Sequence, residues 1–310
     1  MTEPQHIVRY QHYVSRFYLR RFANSEGVIE AYNLLDKRME KAKGPKGICS
    51  EYFFYALETG SEDDVSQVVE LAFKVLEDYI SNNLDEIVTK LLISDKLTDD
   101  KKQVLSLLIS MLHFRGPQMR NFTQRLYKSM LVNTFGRLVE RKGMAEVQRE
   151  IGELSGITLP EMKDEEKEKL SEQILSLEVN NKPHLELFED IPIFANFFQA
   201  QNWKIYVSRS EAKFITSDQP VVLQDPENWP PAFGVPLLAK SCFFTLTPEI
   251  LITTNYSLSG ENGKTEIEVI ESGNEEQVFQ FNLKIASGSK KCIFSVRKGE
   301  LNTVATSLEV

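Results

Sequence analysis

Apolar residues in the middle of the chain recur at three- and four-residue spacing, which predicts helices. Over residues 65–80 they fall on one helix face, and a second helix is predicted over 84–91. Ser61, followed by three acidic residues, is typical of the position where such a helix begins. These patterns define a helical zone over residues 61–200.

Local signals divide the rest of this zone. A threonine followed by two acids predicts the start of a helix over 98–113. Gly116 and Pro117 interrupt the pattern because proline lacks the N–H donor that a helix needs. The next helix is predicted over 118–142, and residues 161–178 predict a solvated amphipathic helix.

The first 60 residues predict a short helix followed by a small β-hairpin. Residues 28–33 alternate as a strand does, and the stretch 36–47 is polar and turn-rich. Residues 52–57 form an aromatic run that also resembles a strand. An N-terminal zone, 1–60, follows from these patterns.

From Trp203 onward the chain carries short strand patterns separated by Pro, Gly, Asn and Asp. Residues 275–287 fit a helix, with Asn274 as its cap and Gly288 as its stop. We therefore predict one compact domain, 1–310, of the α+β class. In it the helical middle segment packs on a mostly antiparallel sheet from the C-terminal third, 201–310. The strand patterns are WKIYVS, KFITSD, VVLQ, CFFTL, ILITT, EIEVI and CIFSV.

Composition and charge narrow the function classes. The chain has 310 residues, 42% of them apolar, with 36 Lys and Arg against 45 Asp and Glu. A net charge of −9 disfavours a protein whose whole surface coats nucleic acid or anionic membrane, so any anion site must be local.

The compartment is predicted from targeting signals and cysteines. The chain start lacks the apolar stretch of a secretory signal, and the longest apolar tract, 104–114, falls short of the ~20 residues that cross a bilayer. Cys49, Cys242 and Cys292 are widely separated and lack zinc spacing. We expect three reduced thiols, a cytoplasmic location and no membrane partner.

Residues 9–22 differ chemically from the rest of the chain. They contain four arginines, one histidine and five aromatic residues, but no acid. If Ser15 starts a helix, Arg16 and Arg20 share one face and His12 lies just ahead of the first turn. A helix start and guanidinium groups both suit an anion. The alternative is that these arginines pair with the surplus carboxylates elsewhere in the chain.

Three segments resemble the signature of the family numbered 4238 among the domains of unknown function. HYVSRFYLRRFA resembles its His-Tyr-hydrophobic-Pro-x-x-x-Leu-x-x-Phe pattern, HFRGPQMR its Arg-small-Pro-x-x-Arg segment, and FITSDQP its Phe-x-x-Ser-Asp-Asn-Pro strand end. The resemblance covers residues 9–296, and it supplies no mechanism. The chain departs from the family pattern at Ser15, where proline is usual, and at Gln219, where asparagine is frequent. The positions singled out are His12, Tyr13, Arg16, Phe22, Arg115, Pro117, Arg120, Ser217, Asp218 and Pro220.

Asp218 lies at the end of a strand pattern, just ahead of a turn-forming proline. Strand ends are common places for a functional carboxylate. The alternative is that Asp218 and Ser217 only organise the turn by bonding backbone N–H groups.

Arg115 and Arg120 flank the predicted helix break. Backbone groups freed at the break, together with guanidinium groups, can hold a ligand. Ion pairing with Glu70 or Glu77 is the plain alternative for both arginines.

The sequence offers little that would identify a metal or cofactor site. The sequence has no HxxxH or HxH pairing for zinc, whereas Mg²⁺ needs only one or two carboxylates with water and phosphate oxygens. It also lacks GxxxxGK[ST], GxGxxG and GxSxG motifs. The sequence identifies no cofactor, and it is compatible with a bound Mg²⁺ ion.

Two function hypotheses from different classes follow, and whether the protein is an enzyme stays open. The first is a nuclease-like enzyme directed at a phosphodiester or a nucleotide, with nucleic acid or a nucleotide as its partner. In it His12 is the general acid or base, and Asp218 is the basic or metal-holding carboxylate. The second is a non-catalytic module that binds an anion or a protein partner, a role compatible with bacterial or phage conflict. The predicted substrate-binding residues are Tyr13, Arg16, Arg115, Arg120 and Ser217.

Overall fold

The computed structural model describes most of the chain. The start of the first long helix predicted at Ser61, and most of the helix predicted over 161–178, lie outside the described residues. The described residues are 7–58, 64–155, 172, 175–176, 178–224, 241–256 and 263–308.

The N-terminal zone forms a short helix and two strand pairs. Helix α1 follows Ser15 and runs into a 3-10 turn at Arg20–Phe22, with Tyr18 and Phe22 buried. Strand β2 does form a hairpin, but its partner β3 lies within the stretch predicted as a turn, and β4 pairs antiparallel with β1 instead. The elements are β1 (Tyr10–His12), α1 (Arg16–Leu19), β2 (Glu30–Asn33), β3 (Arg38–Met39) and β4 (Ser50–Tyr52).

The strand predicted over 52–57 is wrong beyond its first residue. The chain leaves β4 at Phe53, whose φ of 47° lies in the left-handed region. The four residues from Phe53 to Ala56 are buried. These residues are apolar because they lie in a buried turn. A run of aromatic residues fits a buried turn as well as it fits a strand.

The middle of the chain is helical, as predicted. The stretch predicted as two helices over 65–91 is one continuous helix, α2. Gly116 separates α3 from α4, and Gly143, with a φ of 83°, ends α4. The helices are α2 (Asp64–Leu92), α3 (Asp99–Arg115), α4 (Pro117–Lys142), α5 (Met144–Ser155), α6 (Lys182–Glu186) and α7 (Ile191–Ala200).

The C-terminal third supplies most of two sheets. The larger has the order β10-β5-β9-β8-β7, in which only the β10–β5 pair is parallel. The smaller has the order β3-β2-β11-β6 and is antiparallel. The strands are β5 (Asn202–Ser208), β6 (Thr216–Ser217), β7 (Val221–Gln224), β8 (Ser241–Thr247), β9 (Ile250–Asn255), β10 (Thr265–Ile270) and β11 (Cys292–Ser295).

Two more helices lie in this third. Helix α8 (Glu275–Gly288) confirms the predicted helix. Gly288 lies so close to β7 that a Cβ atom there would be 2.5 Å from a methyl group of Val222. Helix α9 (Lys298–Leu308) was not predicted. The α+β fold class, with helices mainly in the middle and a mostly antiparallel sheet behind them, is confirmed.

The main core lies between the helical segment and the larger sheet. It joins residues such as Leu108 of α3, Phe198 of α7 and Trp203 of β5, all nearly or fully buried. A smaller cluster, including Ile285 and Ile293, lies under α8 and α9. Within the part of the chain that the structure describes, no helix has the length and apolar character needed to cross a membrane.

Candidate functional site

The three motif segments meet near the break between α3 and α4. The Nη2 atom of Arg115 donates to the backbone carbonyl of His12 at 2.7 Å. The carboxamide of Gln219 packs over Gly116, where a Cβ atom would be 3.0 Å from the side-chain oxygen. Segments from the start, middle and final third of the chain are therefore in contact.

Arg115 is the central residue of this junction. Its side chain is 2% exposed. The Nε atom donates to the Tyr55 hydroxyl at 2.9 Å, and Nη1 donates to Ser15 Oγ at 3.0 Å and to the Glu77 carboxylate. Of the alternatives that the sequence left open, the ion pair with Glu77 is present. These groups surround the guanidinium, so substrate binding by Arg115 stays a prediction that its contacts do not favour.

Glu70 lies on α2 two turns before Glu77 and faces the same cluster. Its Oε1 atom is buried and has no hydrogen-bond partner among the described residues. Burial raises the pKa of Glu70 to about 7, with the Arg115 charge opposing the shift and Glu77 adding to it. The seven-residue spacing of the two glutamates was the available sequence signal for this acid pair.

Asp218 holds the turn that leads into β11. It is 5% exposed. Its Oδ1 accepts the backbone N–H of Lys290 at 3.1 Å, and Oδ2 accepts that of Lys291 at 3.0 Å. Burial raises the pKa of Asp218, and these backbone donors oppose the rise. The contacts match the turn-organising alternative, and a catalytic role for this carboxylate stays a prediction.

Ser217 and Gln219 form the turn after β6 that carries Asp218. The Ser217 hydroxyl donates to the carbonyl of Gln219 at 2.8 Å and accepts its N–H at 3.0 Å. Ser217 is fully buried, so substrate binding by its hydroxyl also stays a prediction. The Nε2 atom of Gln219 is buried without a hydrogen-bond partner among the described residues.

His12, at the end of β1, differs from Arg115 and Asp218. It is half-buried, and its Nε2 atom is buried without a hydrogen-bond partner in the described part of the chain. Burial, followed by the charges of Arg16 and Arg115, lowers its pKa from 6.5, although backbone carbonyls of Lys46 and Pro45 oppose the shift. The imidazole is therefore neutral at pH 7.

Arg16 and Arg20 lie on the outside of the first helical turns. Both are exposed, and neither forms an ion pair with any described residue. Arg21, by contrast, donates to Asp85 at 2.6 Å. Pairing with surplus carboxylates therefore accounts for Arg21 and leaves the other two guanidinium groups available within the described structure.

Tyr13 and Arg120 share a contact with one aromatic ring. The Arg120 guanidinium lies 4.1 Å from the centroid of the Phe54 ring and donates to Glu51 at 3.0 Å. The ring of Tyr13 lies 5.5 Å from that of Phe54, measured between centroids. Burial raises the pKa of Tyr13, so its hydroxyl stays protonated. The structure thus places these two predicted binding residues together.

His184 contributes to the junction without any sequence signal. It is fully buried and contacts the carbonyl of Phe114 through Nε2 at 2.7 Å. Because a carbonyl only accepts, Nε2 carries the proton. The helix break at Pro117 leaves this carbonyl without its usual helical partner. Burial lowers the pKa of His184 to about 4, so the ring is a neutral cap at pH 7.

Metal ligation has little support from this geometry. The described residues contain no group of three or more His, Cys, Asp or Glu side chains that could hold a metal ion. Both carboxylate oxygens of Asp218 already accept backbone N–H groups. A role for Mg²⁺ stays a prediction.

Comparison with known proteins gives a family and no named relative. A family model described as a protein of unknown function, DUF4238, matches residues 10–299. No curated protein and no solved structure matches the chain.

Proposed function

Since this chain belongs to DUF4238, a family of proteins of unknown function, we propose a function from its site: it binds a phosphate-bearing ligand, a nucleotide or nucleic acid. The binding surface consists of His12, Arg16 and Arg20. We call it the His12 surface.

The observation that carries this proposal is the pair of exposed guanidinium groups, Arg16 and Arg20, which have no carboxylate partner among the described residues. Guanidinium groups bind phosphate bidentately. The ring of His12 borders them. Its proton stays on the nitrogen that faces the Lys46 and Pro45 carbonyls, so its unpartnered Nε2 atom is an acceptor that suits a hydroxyl or N–H group of the ligand.

The local charge supports an anionic ligand despite the acidic chain. Arg16 and Arg20 stand one turn apart, and Lys46, also exposed, belongs to the loop whose backbone carbonyl faces His12. These basic side chains attract anions locally, although the net charge of −9 repels anions from the surface as a whole.

The binding test uses the full chain with two probes, ATP and a fluorescein-labelled single-stranded DNA of twelve nucleotides. The Arg16→Ala/Arg20→Ala variant should bind at least about tenfold more weakly at low salt. Its slope of log K against log salt should fall by about 1.4, since each of the two lost phosphate contacts removes ~0.7. Arg209→Ala, which removes an exposed arginine paired with Glu271, is the matched control. Equal binding by both variants would refute the proposal.

His12→Ala separates a binding role from a structural one. Loss of an imidazole whose Nε2 atom has no partner should weaken probe binding and leave the melting temperature unchanged or higher. A lower melting temperature with unchanged binding would assign His12 to the fold instead.

A phosphodiester-directed enzyme is the second candidate, favoured by the lowered pKa of His12. A neutral imidazole is the form that accepts a proton in general base catalysis. If a substrate is turned over, His12→Ala should reduce the rate by about 10²-fold or more. Asp218→Asn should then act mainly through stability, because its two oxygens already hold a turn.

The cysteines support a cytoplasmic location for this activity. Cys49, Cys242 and Cys292 are all free thiols, and the first two are buried. Reduced thiols are the usual state in the cytosol. An assay under reducing conditions is therefore the appropriate one.

A further inference from the structure

Two tyrosines stand exposed beside the His12 surface. Tyr10 of β1 is 65% exposed and Tyr52 of β4 is 52% exposed. The two residues are opposite each other in the strand pair, with ring centroids 5.6 Å apart and ring planes 70° apart. Two exposed aromatic rings side by side offer faces on which planar groups of a ligand can stack.

The two rings share a face with His12. In a strand, side chains two residues apart point to the same side, at a spacing of about 7 Å. Gln11, between them, points the opposite way, because its side chain accepts a backbone N–H from Tyr55 in the interior at 2.8 Å. The outer face of this hairpin therefore presents Tyr10, paired with Tyr52, and then His12, next to which lies Arg16.

Backbone hydrogen bonds hold this face in place at both ends. The N–H of Phe53 donates to the carbonyl of Arg9 at 2.7 Å, and that of Tyr13 donates to the carbonyl of Cys49 at 3.0 Å. Phe53 is buried and turns the chain away with its positive φ. The strands that carry the two rings are thus fixed relative to each other, which lowers the entropy cost of binding a ligand.

We propose that this face binds single-stranded nucleic acid, with bases stacking on Tyr10 and Tyr52 and phosphates contacting Arg16 and Arg20 beside His12. The proposal rests on the proposed function and names its substrate class. Aromatic platforms beside basic side chains are how proteins bind single strands without sequence preference. A duplex keeps its base faces stacked internally, so it cannot use the rings. A mononucleotide would engage one ring and leave the rest of the face unused.

The test compares three fluorescein-labelled DNA probes of twelve residues by anisotropy: a mixed-sequence single strand, an abasic strand with the same phosphates, and a duplex. The intact single strand should bind about tenfold more tightly than the abasic strand, the size expected from stacking. Tyr10→Ala/Tyr52→Ala should reduce its affinity to that of the abasic strand. Tyr10→Phe/Tyr52→Phe should retain tight binding, because phenylalanine stacks equally well and preserves the hairpin.

The control variant is Tyr256→Ala, which removes a tyrosine of similar exposure, 49%, at the end of β9. It should bind all three probes as the wild type does. Melting temperatures of every variant show whether the hairpin is intact, and the phenylalanine pair keeps the test valid if the alanine pair fails to fold.

The remaining outcomes separate this proposal from the proposed function. Equal binding of intact and abasic strands, with both weakened by Arg16→Ala/Arg20→Ala, would overturn stacking and retain phosphate binding. Two other results would lead to the same conclusion. One is a duplex that binds as tightly as the single strand, and the other is ATP binding that depends on the two arginines while neither strand binds. If neither ATP nor any DNA probe binds, both proposals fail.

Discussion

The guanidinium of Arg115 holds the backbone of His12 through a 2.7 Å hydrogen bond that joins residues 103 positions apart. The bond uses the carbonyl of His12 and leaves its imidazole free of this interaction. Arg115 thus anchors the strand that carries the candidate binding residue. Arg115, which the sequence marks as a candidate phosphate ligand, therefore also holds another candidate residue in position.

Replacement of Arg115 by methionine should destabilise the protein by about 3–5 kcal/mol. The change leaves the Glu77 carboxylate without its buried partner, and it removes the donors to Tyr55 and Ser15. Urea unfolding followed by far-UV circular dichroism at pH 7 measures the loss.

The matched control is Arg209→Met, in which an exposed ion pair with Glu271 is broken. Exposed pairs contribute about 1 kcal/mol or less, so this variant should unfold close to the wild type. A loss of similar size in both variants would contradict the anchoring role of Arg115.

Asp218→Asn should lower the free energy of unfolding by about 1–3 kcal/mol. Asparagine offers one acceptor oxygen where Asp218 offers two, and its NH₂ group would face a backbone N–H donor. Calorimetric melting measures the effect. Asp85→Asn, at a carboxylate that is 89% exposed, should melt close to the wild type. An unchanged melting temperature together with lost activity would support the catalytic hypothesis for Asp218.

These helix ends were predictable because the residues that determine them are adjacent in the sequence. The break at Gly116 and Pro117, and the end of α4 at Gly143, both appear where the sequence places them. The smaller sheet was not predictable in the same way. Its central pair sets Tyr32 opposite Ile293, and no local pattern records which distant strand a hairpin will join.

The motifs mark segments that come together in the fold, but they do not reveal what each side chain does there. The guanidinium of Arg115 already donates hydrogen bonds to Glu77 and Tyr55. Those neighbours come from parts of the chain outside the motif. Burial is a property of the packed fold, so sequence left the binding and structural roles of Asp218 equally open. His184 carried no signal because its partner is a backbone carbonyl.

Stability should fall in acid through His184. Its folded pKa of about 4 lies below the ordinary value of 6.5, so below pH 6.5 the unfolded chain binds a proton that the folded chain rejects. The stability that this neutral ring provides is lost as pH falls from about 6.5 to about 4, by up to about 3 kcal/mol. Unfolding in urea at pH 7 and pH 4.5 measures the difference.

The comparison variant is His184→Gln, whose amide can donate to Phe114 and does not titrate in this range. It should remove the contribution of His184 to the pH dependence. If its stability falls between pH 7 and pH 4.5 as steeply as that of the wild type, another group is responsible.

Ionisation of Glu70 should change the stability with pH in the opposite direction and partly offset the effect of His184. Its folded pKa of about 7 exceeds the ordinary 4.5, so the folded chain keeps a proton that the unfolded chain loses, and stability falls as pH rises through this window. Glu70→Gln fixes the neutral state. At pH 8 its free energy of unfolding should exceed that of the wild type by about 1–3 kcal/mol. Asp78→Asn, at an exposed carboxylate on the same helix, should keep the wild-type profile. A Glu70→Gln variant with unchanged stability at pH 8 would mean that Arg115 compensates the charge of Glu70 fully.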